Sequence, residues 1–132
     1  MSQEFISNWW SIELEPGWLS EAENECWSFW LEDGMGALQI SAYKYDTEPI
    51  PATDLTELME NQIPEGIAHE KTQAGEFSGV EVNYVEQGNF WYKLWVTKGS
   101  LLLFITYNCD AKDKTIERDA VEKMLAGLKT RM

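Results

Sequence analysis

The chain has 132 residues, the length of one domain, and 44% of them are hydrophobic, which excludes a disordered chain. Its formal net charge is −13 and it contains no basic stripe, so nucleic acid and anionic membrane surfaces are excluded as expected partners. No apolar run approaches the roughly 20 residues that span a bilayer, and the N-terminus lacks the pattern of a signal peptide. We therefore expect a single cytoplasmic domain over residues 1–132.

The first half of the chain is expected to form three strands and a helix. Period-two alternation of apolar and polar residues predicts three strands: Trp9–Leu14, Cys26–Leu31 and Ala37–Tyr45. An acidic loop, Ser20–Glu25, is expected between the first two, and Asp33-Gly34 is typical of a hairpin turn. A helix should begin near Thr53 or Asp54, because both residues are good N-caps.

The second half is expected to return to strands and to end in a helix. The strands are predicted at His69–Gln73, where the signal is weak, and at Val80–Glu86, Phe90–Thr97 and Ser100–Asn108. Residues 74–78 are interpreted as a turn or a short crossing segment. Because Ser100–Asn108 is the most apolar strand, we expect it to be central. An apolar stripe at helical spacing predicts the last helix over Asp113–Thr130, with Asp113 as its cap.

This order of elements, βββα(β)βββα, predicts an α+β fold. Hairpin-length connections indicate antiparallel pairing, so we expect a single, largely antiparallel sheet of six to seven strands with two helices.

Three segments resemble the PsbP-like fold of small uncharacterised bacterial proteins. These segments are WWSIELEPGW at 9–18, GALQISAY at 36–43, and GSLLLFITYNC at 99–109, followed by the amphipathic helix. The same fold is found in a photosystem subunit, a yeast Ran-binding nuclear import factor and chaperones of type VI secretion effectors. The resemblance implies a binding or assembly role, names no shared ligand and places no functional residue on this chain.

No catalytic motif or metal site can be identified in the sequence. The single histidine, His69, has no partner histidines or paired cysteines with which to bind a metal, and Cys26 and Cys109 have no redox or metal spacing. Carboxylates are abundant, but glycosidase chemistry needs two of them across a cleft, and the acids before Cys26 lack the pattern of a calcium loop. We therefore expect a protein that is not an enzyme and needs no cofactor.

The charges and the tryptophans are unevenly distributed. Residues 1–43 contain eight acids and no Lys or Arg, whereas residues 111–132 contain six bases and four acids. The acidic block is either a solvated face or a docking surface for a basic partner. The chain also has seven tryptophans, and strand periodicity assigns four of them to the second side of the sheet: Trp9, Trp30, Trp91 and Trp95. Either a helix covers these residues, or they form an exposed binding patch.

The leading hypothesis is a non-enzymatic binding or assembly module that contacts a protein through an acidic, Trp-rich surface. The residues expected to form that surface are Trp9, Trp30, Trp91, Trp95, Glu13 and Glu32. Its partner would be a basic protein or a second copy of the chain, for example if the module is an immunity or chaperone-like protein for a basic secreted effector. The alternatives are a module that binds a small ligand or carbohydrate, and an enzyme that uses carboxylates in an apolar cleft.

Overall fold

A computed structural model describes residues 3–24 and 26–131, with the side chain of residue 52 left out of the description. The helices are α1 (Ala52–Glu60) and α2 (Arg118–Ala126), and a 3₁₀ turn (Ala111–Asp113) precedes α2. The strands are β1 (Gln3–Ile6), β2 (Trp10–Leu14), β3 (Trp18–Ala22), β4 (Trp27–Leu31), β5 (Gly36–Lys44), β6 (Glu70–Ala74), β7 (Phe77–Glu86), β8 (Asn89–Lys98), β9 (Leu101–Asp110) and β10 (Lys129–Thr130).

Seven of these strands form one antiparallel sheet in the order β3-β4-β5-β9-β8-β7-β6. Short turns join most neighbours. Between β7 and β8, for example, Gln87 and Gly88 both have positive φ, at 52° and 81°, as a tight hairpin turn requires. The apolar strand β9 lies fourth of the seven, which confirms its predicted central position.

The first face of the large sheet is covered by a smaller sheet, β1-β2-β10, together with α2. Side chains from both layers form the main core. Examples that are nearly inaccessible are Ile12, Phe29, Leu38, Leu103, Ile105 and Val121. Helix α2 is too short to cover the face alone, so the small sheet supplies the remaining apolar surface that closes the core.

The second face is covered over only part of its width. Helix α1 and the segment after it pack on β7, β8 and the adjoining part of β9, where they form a second apolar cluster. The buried members of this cluster are Ile50, Met59, Val82, Tyr84, Trp95 and Leu102. The part of this face on β4 and β5 and the end of β9 carries no helix.

The predicted α+β class, its two helices and its largely antiparallel pairing are confirmed. The structure adds β1 and β10, which pair with β2 to form a second, three-stranded sheet, and β3, which extends the large sheet beyond β4. The loop expected over Ser20–Glu25 is wrong at its start, because residues 20–22 are the end of β3, paired with β4; position 25 lies outside the described residues.

Both helices begin at residues other than those predicted, and α2 also ends earlier than predicted. Helix α1 begins at Ala52 and has no side-chain cap. Helix α2 begins after Glu117 and ends before Gly127, so the cap at Asp113 and the end at Thr130 are wrong. The reason is tertiary, since Lys129 and Thr130 pair with β2 and the Glu117 side chain bonds to the β4–β5 connection.

Candidate functional site

The uncovered part of the second face displays side chains that the strand register arranges in rows. Paired residues on neighbouring strands point to the same side of a sheet, about 4.8 Å apart. One row across β4, β5, β9 and β8 consists of Trp30, Ala37, Asn108 and Trp91. The next row consists of Ser28, Gln39, Thr106 and Lys93. We call this uncovered part of β4, β5 and β9 the open half of the sheet.

A groove lies between α1 and the open half, and it comprises two adjacent compartments. Both compartments are lined by Gln62 and Phe104. The apolar compartment, about 330 Å³, is also lined by Tyr43, Tyr45, Leu58, Trp95 and Leu102. The polar compartment, about 250 Å³, is also lined by Cys26, Gln39, Ser41, Trp91, Lys93 and Thr106. We call the two compartments together the α1 groove.

Lys93 supplies the positive charge in the polar compartment. Its side chain lies in the middle of β8 and is 9% exposed. The Nζ atom donates a hydrogen bond of 2.7 Å to the Gln62 carbonyl, just after α1, and lies 4.8 Å from the Trp91 ring centroid and 5.5 Å from that of Tyr84. None of the ion pairs found among residues 3–24 and 26–131 involves Lys93. The ammonium is therefore stabilised by a carbonyl and two rings rather than by a carboxylate.

Glu23 organises the polar side chains at the outer end of the groove. Its Oε2 atom accepts hydrogen bonds from Ser28 Oγ at 2.6 Å, Gln39 Nε2 at 2.9 Å and Cys26 Sγ at 3.5 Å. The bond from Ser28, followed by the bond from Cys26, lowers the pKa of the Glu23 carboxyl. Burial, followed by the bond to Glu23, raises the pKa of the Cys26 thiol. The thiol therefore stays protonated at neutral pH and is a poor nucleophile.

The lowered pKa of Glu23 is testable by replacing its first donor. In NMR carboxyl titrations, we expect Glu23 of the native chain to titrate below the ordinary glutamate value of about 4.3, and Ser28→Ala to move its pKa upward. Because the folded pKa is depressed, the stability that Glu23 contributes is present above the unfolded pKa and is lost as pH falls through the folded one. Ser20→Ala on neighbouring β3 is the control, and an equal shift in both variants would contradict this account of the hydrogen bonds.

The structure brings together only some of the predicted binding tryptophans. Trp30, Trp91 and Trp95 do lie on the second face, but Trp95 is 1% exposed beneath α1 and stacks on Phe104 at a centroid distance of 5.2 Å. The assignment of Trp9 to this face is wrong. It precedes β2 and packs against the core on the first face, because β2 belongs to the small sheet. Trp91 borders the α1 groove, and Trp30 lies three strands away.

The two predicted acids lie apart from the groove. Glu13 is exposed on β2 of the small sheet, opposite Glu4 of β1, and Glu32 is exposed in the connection after β4. The six predicted residues therefore do not form one continuous surface. Sequence reasoning did not identify Lys93, Gln39 or Thr106 as site residues, although a lone lysine between Trp91 and Trp95 on one strand face was the available signal.

The described residues hold neither a metal-binding cluster nor a membrane-spanning helix. Over residues 3–24 and 26–131, no group of three His, Cys, Asp or Glu side chains is placed to bind a metal ion. His69 is exposed just before β6. Within the same described ranges, neither helix has the length and apolar composition needed to cross a membrane.

Comparison with known proteins gives structural likeness alone. No protein-family model matches the chain, and no curated protein matches it. A solved structure from Bacteroides thetaiotaomicron is similar over 98% of this chain and 48% of its own, with a TM-score of 0.72 and 20% identity. LpqN, which is involved in cell envelope biogenesis of Mycobacterium tuberculosis, is similar over 92% of this chain and 82% of its own, with a TM-score of 0.63 and 11% identity. At these identities the likeness shows the fold, and the chain spans about half the length of the Bacteroides protein.

Proposed function

We propose that the protein is a non-enzymatic binding module that holds a small ligand in the α1 groove. The observation that carries this proposal is the partial covering of the second sheet face. Helix α1 leaves the open half uncovered, and the groove beside it combines hydrogen-bonding side chains with aromatic rings. Ligand sites in proteins have this composition, with a mainly apolar lining and a few polar groups that orient the ligand.

The groups in and beside the groove favour binding over catalysis. The Cys26 thiol has a raised pKa, which disfavours the thiolate that nucleophilic chemistry needs. The Glu23 carboxylate accepts three hydrogen bonds and has a lowered pKa, which makes it a weak general base. A polar, preorganised wall of this kind suits recognition of a ligand.

The test is a two-dimensional NMR titration of the ¹⁵N-labelled chain with a panel of sugars, amino acids, and neutral and charged amphipathic molecules. A ligand of the groove should shift amide signals of β5, β9 and the end of α1 and leave β1 and β2 unchanged. Trp91→Ala should weaken its binding about tenfold, because a stacked ring contributes about 1–2 kcal/mol, whereas Trp9→Ala on the other face should not change it. Shifts confined to the small sheet, or no binder in the panel, would contradict the proposal.

A second candidate function is contact with a basic protein partner or a second copy of the chain. The observation that favours it is a cross-strand pair at the outer edge of the open half, where Leu19, 43% exposed, lies opposite Trp30. Glu21 is exposed two residues further along β3, so an apolar pair lies beside negative charge in a chain of net charge −13. Chemical crosslinking and sedimentation of Leu19→Ser beside the native chain test this candidate, and a monomer with no crosslinked partner in both would exclude it.

Two further assignments belong to this proposal. We infer that the fold is PsbP-like, on the three sequence segments named above, and that the protein works in the cytoplasm without contacting nucleic acid. Cys26 and Cys109 are both free thiols. Cys26 precedes β4, whereas Cys109 pairs with Gly36 at the opposite end of β5. Free thiols are typical of a reducing compartment and support this location. Cell fractionation tests the location, and recovery with the envelope would overturn it.

A further inference from the structure

We propose that the ligand of the α1 groove is an anionic amphiphile, whose charged group binds Lys93 and whose apolar body lies along β9 beneath α1. This inference rests on the proposed function and specifies the class of ligand. The groove comprises a compartment that contains a buried cation and an adjacent one that is lined mainly by apolar side chains, and both are lined by Phe104 and Gln62.

The ammonium group of Lys93 is incompletely paired. An ammonium has three N–H donors, and among residues 3–24 and 26–131 the only hydrogen bond from Lys93 is the one to the Gln62 carbonyl. Lys93 is only 9% exposed, and a buried charge is costly unless it is paired and hydrogen-bonded; no carboxylate within residues 3–24 and 26–131 forms an ion pair with it. Since Lys93 lines the polar compartment, an anion held there would supply the missing charge and accept the remaining donors.

Neutral hydroxyl donors lie around Lys93 in the polar compartment. Thr106 pairs with Lys93 on one side and with Gln39 on the other, and Ser41 also lines the compartment. The Thr106 and Ser41 hydroxyls can donate to an anion without adding charge, whereas the Gln39 amide already donates to Glu23 and Ser28. The Glu23 carboxylate accepts a hydrogen bond from Gln39 on the β4 side of the compartment. Its negative charge would repel an anion, so the Lys93 and Thr106 side of the compartment is the favoured position.

The length and the apolar lining of the adjoining compartment favour an apolar ligand body. Thr106, Phe104 and Leu102 are alternate residues of β9, so their side chains point into the groove about 6.8 Å apart. The path from Thr106 to Leu102 is therefore about 14 Å, which is longer than an extended chain of eight carbon atoms, so such a chain fits along it. Tyr45 and Leu58 border the end of this path. A sugar would leave this compartment poorly filled, whereas an alkyl or aromatic body matches its lining.

Lys93 also has a structural role, which the experiment must separate from ligand binding. Its bond to the Gln62 carbonyl places a cation just beyond the C-terminal end of α1, where the helix dipole favours it. The bond to Gln62 uses one of the three N–H groups of the Lys93 ammonium. It does not explain the neutral donors around Thr106. A substitution at Thr106, whose side chain has no hydrogen bond to α1, therefore tests the site without removing the tie to the helix.

The experiment compares octanoate with 1-octanol, which share a chain and differ in charge, by calorimetry and by ¹⁵N NMR shifts. The native chain should bind octanoate at least tenfold more tightly than 1-octanol. Lys93→Met should abolish this preference, and Thr106→Val should weaken octanoate binding several-fold without lowering the melting temperature by more than a few degrees. Lys98→Met, at an exposed position on the same strand, is the matched control and should keep the preference.

Each outcome bears on a different claim. Equal binding of the two probes in the groove would overturn recognition of charge while leaving a small-ligand module in place. Failure of octanoate to bind in the groove would also overturn this inference, whereas the proposed function would then depend on the wider ligand panel. If Lys93→Met loses its preference for octanoate only because it unfolds, Thr106→Val still tests the anion site. An unchanged affinity of Thr106→Val for octanoate would contradict that site.

Discussion

Replacing Trp95 with alanine is expected to lower the free energy of unfolding by about 3–5 kcal/mol. The indole ring is 1% exposed, stacks on Phe104 and packs in the apolar cluster between α1 and the sheet. Removal of so large a side chain loses its transfer free energy and leaves a cavity between two layers of the fold. Chemical denaturation monitored by circular dichroism measures the change.

Trp30→Ala is the matched control for this prediction. Trp30 also lies on the second face, but it is only half-buried and has no helix over it. Its loss should lower the free energy of unfolding by about 1 kcal/mol. Equal destabilisation by the two variants would show that α1 does not bury Trp95 against the sheet. The pair therefore separates a tryptophan that stabilises the fold from one that remains available for contact.

Replacing Glu117 with alanine is expected to lower the free energy of unfolding by about 2–4 kcal/mol. The carboxylate is 5% exposed and accepts hydrogen bonds from the Met35 and Gly36 amides at 3.1 and 3.0 Å and from Tyr107 Oη at 2.6 Å. Burial, followed by the bond to Glu117, raises the pKa of Tyr107, so the phenol remains a donor at all physiological pH values. Without Glu117, these donors lose their charged acceptor, and the buried phenol loses its partner.

The control for Glu117 is Glu122→Ala on the same helix. Glu122 is exposed and forms a surface ion pair with Arg118 at 3.0 Å, so its loss should change stability by about 0.5 kcal/mol or less. Hydrogen exchange gives a second measurement, because the Met35 and Gly36 amides should exchange faster in Glu117→Ala only. Unchanged protection of those two amides would contradict the assigned role of Glu117.

The sequence predicted the strands whose pattern is set by a half-buried sheet. Strands β4, β5, β8 and β9 alternate apolar residues on the first face with others on the second, and this period survives in the structure. Strands β1 and β10 were missed because they are short and are held by pairing with β2 rather than by a pattern of their own. Strand β3 was missed because its residues after Trp18 are exposed and include an acid, so they are typical of a loop.

Less of the candidate site could be predicted. The alternation of β8 correctly assigned Trp91, Lys93 and Trp95 to one face, but it could not show that α1 covers only one of the two tryptophans. That depends on where a helix from a distant segment lies on the sheet. The contact between Glu117 and Gly36 joins residues 81 positions apart, and no local pattern indicates it. Trp9 was misplaced because alternation gives the sides of a strand and not the sheet to which the strand belongs.

The partly covered sheet separates two kinds of evolutionary constraint. Residues under α1 and the small sheet are constrained by packing, whereas Gln39, Ser41 and Asn108 on the open half contribute little to the core and can change at small cost. Successive substitutions at such positions would alter what the groove accepts while the fold persists. A shape shared at 11–20% identity with proteins of Bacteroides thetaiotaomicron and Mycobacterium tuberculosis is then compatible with a different ligand in each protein.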